Sequence, residues 1–201
     1  REYIQNSVDS IDAAIKSGIL MSGEEQIIVQ LRPTEQEIII RDNGTGIACN
    51  EAEKILISIG NSQKTSESSR GFRGIGRLAA LSYCKKLVFQ TSFLGESKAT
   101  TITIDADKLS DLLLDSSDID ASVVDVLQKV YEVKTKPEKE NAHYFIVRLI
   151  GVDENSRLND YDDVVDYLSQ NTPAPYNPEF VWGKEICNRL HNCLLYTSPS
   201  P

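Results

Sequence analysis

The sequence predicts an α+β domain. Two pairs of β-rich segments flank turns as hairpins do, at 26–42 and 86–105. An amphipathic helix precedes them. The composition, 40% apolar and 25% charged over 201 residues, is that of a soluble globular chain. That length suffices for one sizeable core, or for one domain and the start of a second.

Residues 2–16 place Ile4, Val8, Ile11 and Ile15 at helical spacing, a stripe that faces a core. A strand at 26–31, a turn holding Pro33 and a strand at 37–42 form the first hairpin. The run Asp42-Asn43-Gly44-Thr45-Gly46 then makes a loop, because Asn and Gly favour turns. Residues 51–58 are predicted helical, and 60–69 form a polar, Ser-rich loop of mobile composition. A helix entered through glycines starts at Gly76 and runs through Leu78, Ala79, Ala80 and Leu81. The second hairpin pairs 86–92 with 99–105 about 94–98. An acidic stretch, 107–130, divides into two short helices. Residues 143–152 form a strong strand, and 160–170 form a helix stopped by Asn171 and Pro173. Five of the seven prolines lie at or beyond Pro173, where the chain changes character. The expected organisation is a domain over 1–152, truncated at its start, then a helix and linker over 153–192 leading toward a second domain. The tail, 193–201, fits nothing before it and reads as translated adapter sequence.

Lys and Arg number 21 against 30 Asp and Glu, a net charge of −9 that argues against general nucleic-acid binding. It leaves room for a single phosphate ligand, since local charge governs that. No apolar run is long enough to span a bilayer, so no membrane partner is expected. The four cysteines form no CxxC pair and no disulfide framework, which favours a reducing compartment, the cytoplasm. Cys187, His191 and Cys193 lack a convincing fourth zinc ligand. Asp115, Asp118 and Asp120 lack the Gly and terminal Glu of an EF-hand loop and read as a solvated face. Tyr176 and Trp182 belong to packing, and His143 reads as a structural histidine in an apolar strand.

Three elements have the residue types for chemistry. On the first helix Glu2, Asn6 and Asp9 share a face; alone this is a solvated stripe, yet Asn can give an oxygen to Mg²⁺ and a carboxylate can deprotonate a water. After the strand Ile38-Ile39-Ile40, the carboxylate of Asp42 is fixed where it could accept from an exocyclic amine, and glycines let a ring approach the backbone. Alone this is a common turn. The run Gly71-Phe72-Arg73-Gly74-Ile75-Gly76 opens a predicted helix, where bare amides point at phosphate. Around it Lys64, Arg70, Arg73 and Arg77 face only Glu67, a local positive excess suited to a polyanion. Its glycine spacing is neither the dinucleotide fingerprint nor a P-loop.

Glu-x-x-x-Asn on the first helix, Asp-x-Gly-x-Gly after a strand, a polar loop and Gly-x-x-Gly-x-Gly, in that order and spacing, together resemble the GHKL ATPase superfamily. That group covers gyrase, the 90-kDa heat-shock chaperones, sensor histidine kinases and MutL, with the MORC proteins close by. The resemblance runs from Glu2 to about Ile150. It implies the two-layer Bergerat-type sandwich, a mixed, mainly antiparallel sheet with helices on one face. It also implies ATP and Mg²⁺ as ligands. Carried over, Glu2 is the general base that activates water, Asn6 ligates Mg²⁺, and Asp9 supports the ribose and magnesium region. Asp42 accepts from the adenine amine, Gly44 and Gly46 make room for the ring, and Ile47 packs on it. Residues 60–70 are the lid, with Lys64 near the phosphates, and Gly71, Arg73, Gly74, Ile75 and Gly76 form the phosphate cradle.

Sensor kinases usually carry Asn where Glu2 stands, so Glu2 favours hydrolysis over phosphoryl transfer to histidine. Residues 1–14 and the Asp42 loop look closer to the chaperone, MutL and MORC branch. The resemblance implies that ATP orders the lid and promotes homodimer contacts. A nucleotide-gated clamp with little turnover is the alternative, and a histidine-kinase-like catalytic domain a third. One departure stands out. The family's Gly-Thr pair before the late strand is matched by Ala142-His143, which implies weakened or rearranged adenine binding.

Overall fold

The computed structural model describes residues 1–57, 76–114 and 123–171. Helix α1 (Glu2–Lys16) is followed by the hairpin β1 (Ile27–Arg32) and β2 (Glu37–Asp42), then by α2 (Cys49–Ile57) and a 3₁₀ turn, Gly76–Ser82. Strands β3 (Lys86–Ser92) and β4 (Lys98–Asp105) form the second hairpin. Helices α3 (Ala106–Leu114) and α4 (Val123–Gln128) lead to β5 (Tyr131–Pro137), β6 (Tyr144–Ile150) and α5 (Tyr161–Asn171). The six strands make one sheet in the order β1-β2-β6-β3-β4-β5, with every pairing antiparallel.

Register explains the core. Residues paired across strands share a face, so the sheet's inner side is a stack of transverse rows. One row reads Ile38, Leu149, Leu87, Ile104, and the next Ile40, Val147, Phe89, Ile102. The helices close over these rows. Ala52, Leu56 and Ile57 of α2, Leu78 and Ala80 of the 3₁₀ turn, and Leu127 of α4 join them in one buried cluster. Tyr3 of α1 meets Phe89 edge-on, with ring centroids 6.4 Å apart. Each fully buried Leu, Ile or Phe contributes about 1.5–3 kcal/mol. In the third row, Asp42, Thr91 and Thr100 are polar yet buried, beside a half-buried Phe145. The Asp42 end of the sheet starts there.

The opposite face is largely polar. Gln90 donates to the Tyr144 hydroxyl at 2.9 Å, which donates to Glu138 at 2.8 Å, and the Arg41 guanidinium lies over the Tyr144 ring. Glu37, on the same face, accepts from Arg32 at 3.2 Å and from Arg148 Nε at 2.7 Å.

Three expectations are revised. The residues buried on α1 are Ile4, Ser7, Ile11 and Ala14, with Val8 and Ile15 only half-buried. The helix is rotated so that a hydroxyl faces the buried Asp42. The segment from Gly76 is 3₁₀ rather than α, a short connector into β3 in which i→i+3 bonds suffice. Strand β5 was not anticipated. Its Glu132, Lys134, Lys136 and Pro137 are residues that strands disfavour, but they suit an edge that must not recruit another chain.

Candidate functional site

Asp42 ends β2 with its side chain on the inner face, only 2% exposed. The Ser7 hydroxyl donates to Oδ2 at 2.8 Å, and the Gly44 amide donates to Oδ1 at 3.0 Å. Burial pushes the carboxyl up to about 6 from its ordinary 3.8, while bonds from Ser7, Gly44 and the Phe145 amide pull the other way. No cation bonds to it among the described residues. A carboxylate has about four acceptor positions, so it retains capacity for a donor from a ligand.

The loop after Asp42 is pressed onto α1. Its Thr45 amide donates to Ser10 Oγ at 3.1 Å. A Cβ on Gly44 would overlap the Ser10 side chain, and one on Gly46 would overlap the Ser92 carbonyl. Gly46 also adopts φ +65°, a left-handed conformation that glycine enters without strain. Both glycines are therefore required by close approach, whatever else they admit. Ile47 follows, its amide donating to Thr91 Oγ1 at 2.8 Å and its side chain resting on the main core. The Thr91 hydroxyl in turn donates to the Tyr144 carbonyl at 3.2 Å.

Glu2 lies at the other end of α1, where its carboxylate abuts Gly76 so closely that a Cβ there would sit 2.6 Å from Cδ. The first helix and the last glycine of the Gly-rich run are thus in contact. Arg77 stands within electrostatic range of Glu2, and its Nε donates to the Leu56 carbonyl at 2.9 Å. Burial lowers the Arg77 pKa and Glu2 opposes that shift, so the group stays cationic. Glu2 and Gly76 also line a cleft of about 760 Å³ floored by Val29, Leu31, Ile38 and Ile40, which neither Asp42 nor Gly44 lines.

At 3.6 residues per turn, Asn6 falls about 40° from Ser10 on one side and about 40° from Glu2 on the other. It therefore sits on the flank of α1 between the Asp42 loop and the Gly76 contact. Asn6 is half-buried, and Asp9 beside it accepts from Gln5 at 3.2 Å. No group of three or more His, Cys, Asp or Glu able to hold a metal occurs among the described residues. That donor set does not suit a protein-built cage. It fits Mg²⁺, which takes one or two protein oxygens and fills the rest of its sphere with phosphate and water. Lys64, Gly71, Arg73, Gly74 and Ile75 lie outside the described residues, as do the acidic 115–122 stretch, Tyr176, Trp182 and Cys187–Cys193 spacing.

Sequence reasoning missed Ser7, Ser10, Thr91 and the placement of His143. Ser7 and Ser10 are three apart beside an apolar stripe, a pattern that signals one polar contact line along a helix. Thr91 carries no such mark. His143 lies one row beyond Asp42, with Nδ1 2.9 Å from the Gly44 carbonyl, so it belongs to the loop's surroundings.

No curated protein matches the chain. The model of a family described as histidine kinase-, DNA gyrase B- and HSP90-like ATPases matches residues 1–135. That match spans α1, the Asp42 loop, strands β1 to β4 and most of β5, and its subject is an ATP-binding ATPase domain. The chain belongs to the histidine kinase-, DNA gyrase B- and HSP90-like ATPase family.

Proposed function

We propose that this chain binds ATP with Mg²⁺ beside α1 and hydrolyses it, with Asp42 reading the adenine amine and Glu2 acting as general base. The observation that carries the reading is Asp42 itself, a buried carboxylate with no cation bonded to it among the described residues, fixed by Ser7 and Gly44 and left with acceptor capacity for a ligand. Gly44 and Gly46 let the loop close onto Ser10 and the Ser92 carbonyl; in this reading the ring lies along that loop, with Ile47 as its apolar wall. Asn6 would hold Mg²⁺, which when bound neutralises phosphate charge. Asp9 would steady the ribose and magnesium region. Glu2 would take a proton from the attacking water as the water oxygen bonds to the γ-phosphorus. The β–γ anhydride bond breaks and ADP leaves with its bridging oxygen. Arg77 stands within electrostatic range of Glu2, on the side of α1 where the phosphates would lie.

In the same reading, residues 60–70 close over the nucleotide, Lys64 approaches the phosphates, and Gly71, Arg73, Gly74, Ile75 and Gly76 cradle them. Closure favours homodimer contacts, the order–disorder logic by which nucleotide switches work. Residues 1–14 and the Asp42 loop support the chaperone, MutL and MORC branch, and the cysteine pattern supports a cytoplasmic setting. No helix among the described residues is long and apolar enough to cross a membrane.

Calorimetric titration with a non-hydrolysable ATP analogue and Mg²⁺ tests the site. The wild type should bind, and Asp42→Asn should weaken binding about 100-fold, because a lost acceptor leaves the amine facing a donor. Undiminished binding by Asp42→Asn would refute the assignment. Glu2→Ala then separates enzyme from nucleotide-gated clamp: binding persists in both cases, and phosphate release falls to background only if Glu2 is the base.

A further inference from the structure

Register carries the sheet's inner face one step past its last paired row. Asp42 lies opposite Phe145, and two residues further on each chain stand Gly44 and His143. These two are joined by the contact between His143 Nδ1 and the Gly44 carbonyl, 2.9 Å long. A carbonyl only accepts, so the imidazole carries its proton on Nδ1. Gly44 is thereby held on three sides. Its carbonyl receives His143, its amide donates to Asp42 Oδ1, and its α-carbon abuts Ser10 with no room for a methyl. Asn43, bonded to Gln26 and Glu24, and Thr45, bonded to Ser10, anchor the loop on either side, and the bond from His143 is the one made to the Gly44 carbonyl itself.

We infer that His143 is a positioning residue for base recognition: by holding the Gly44 carbonyl it fixes the amide that orients the Asp42 carboxylate, and so it sets the preference for a 6-amino over a 6-oxo purine. This rests on the reading of Asp42 as the base-recognising group. A 6-amino purine offers a donor to the carboxylate, whereas a 6-oxo purine presents an acceptor and is repelled. Discrimination of that kind depends on the acceptor being held still. Groups that only support the contacting residue can therefore control it. His143 does so across the sheet, from a position 99 residues later in the sequence. The rigid ring supplies the donor where a flexible side chain would have to be ordered first.

The test compares ADP with inosine diphosphate, each with Mg²⁺, by calorimetry on the 201-residue chain. The wild type should prefer ADP. His143→Ala should weaken ADP about 10-fold while leaving inosine diphosphate nearly unchanged, so the ratio narrows. His143→Asn places an amide donor near the same carbonyl and should restore most of the ratio. Two results overturn the inference alone, given a wild type that prefers ADP: a ratio unchanged by His143→Ala, or one lost equally in His143→Asn. A thermal melt of each variant identifies loss of fold. If His143→Ala does not fold, the ratio measured with His143→Asn decides, a wild-type value supporting the inference and a collapsed one overturning it. A wild type that binds neither nucleotide, or both equally, overturns the Asp42 reading and the inference together.

Discussion

Strand β2 begins and ends on a buried carboxylate, and the molecule treats the two in opposite ways. Glu37 is 5% exposed and held between the guanidinium groups of Arg32 and Arg148 on the sheet's polar face. Asp42 is 2% exposed on the inner face and, among the described residues, receives only neutral donors, Ser7, Gly44 and Phe145. A buried charge matched by cations is satisfied within the fold. One matched by neutral donors remains under-compensated, in keeping with its raised pKa, and keeps acceptor capacity for one more donor. The difference separates a carboxylate that serves structure from one suited to a ligand.

Exchanging the charges tests that contrast most strongly. Asp42→Asn should reduce binding of the ATP analogue about 100-fold and leave the fold intact, whereas Glu37→Gln should leave binding unchanged. Glu37→Gln should instead lower stability by about 1–3 kcal/mol in urea denaturation. The lower part of that range applies because both arginines are partly solvated and regain water. A binding defect in Glu37→Gln equal to that in Asp42→Asn would erase the distinction.

A smaller effect separates the two carboxylates by pH. The folded-state pKa of Asp42 lies above its ordinary 3.8, at about 6, so the folded chain takes up this proton more readily than the unfolded chain. Its contribution to stability therefore falls as pH rises from about 4 to about 6 and stays low above that. Ligand binding has the opposite sign, because only the ionised form is a pure acceptor. Adenosine, which has no phosphate to titrate, should bind more weakly as pH drops through about 6, and fluorescence competition would follow it. Asp42→Asn should show neither slope. The smallest effect is that of Ser7→Ala. It should cost about 1 kcal/mol and move the midpoint of adenosine binding to higher pH, since the lost bond favoured the charged form. An unmoved midpoint would mean that Ser7 contributes packing alone.

Much of this was legible in the sequence, and the limits were physical. Asp42, Gly44 and Gly46 stand out because a carboxylate at a strand end followed by glycines is a local pattern. Helix α1 stands out by its period, but period ranks residues by apolarity and so put Val8 inward where Ser7 lies. Strand β5 hid behind Lys and Glu because an edge strand is selected against looking like a core strand. His143 was legible as part of a strand. Its partner Gly44 was not, because no local signal reports a neighbour across the sheet.

The position of β6 has a consequence for how the chain is made. It is the last of the described strands in sequence but lies between β2 and β3, pairing with both. The β1–β2 hairpin and the β3–β4–β5 meander can each form locally as they leave the ribosome. Neither can join the other until residues 144–150 are available, roughly a hundred residues after β2. Until then β2 and β3 present unpaired edges, and the closing contacts are the non-local kind that folds slowly. A nascent chain stopped after β5 would hold two unjoined pieces of sheet, and β6 acts as the keystone that makes them one domain.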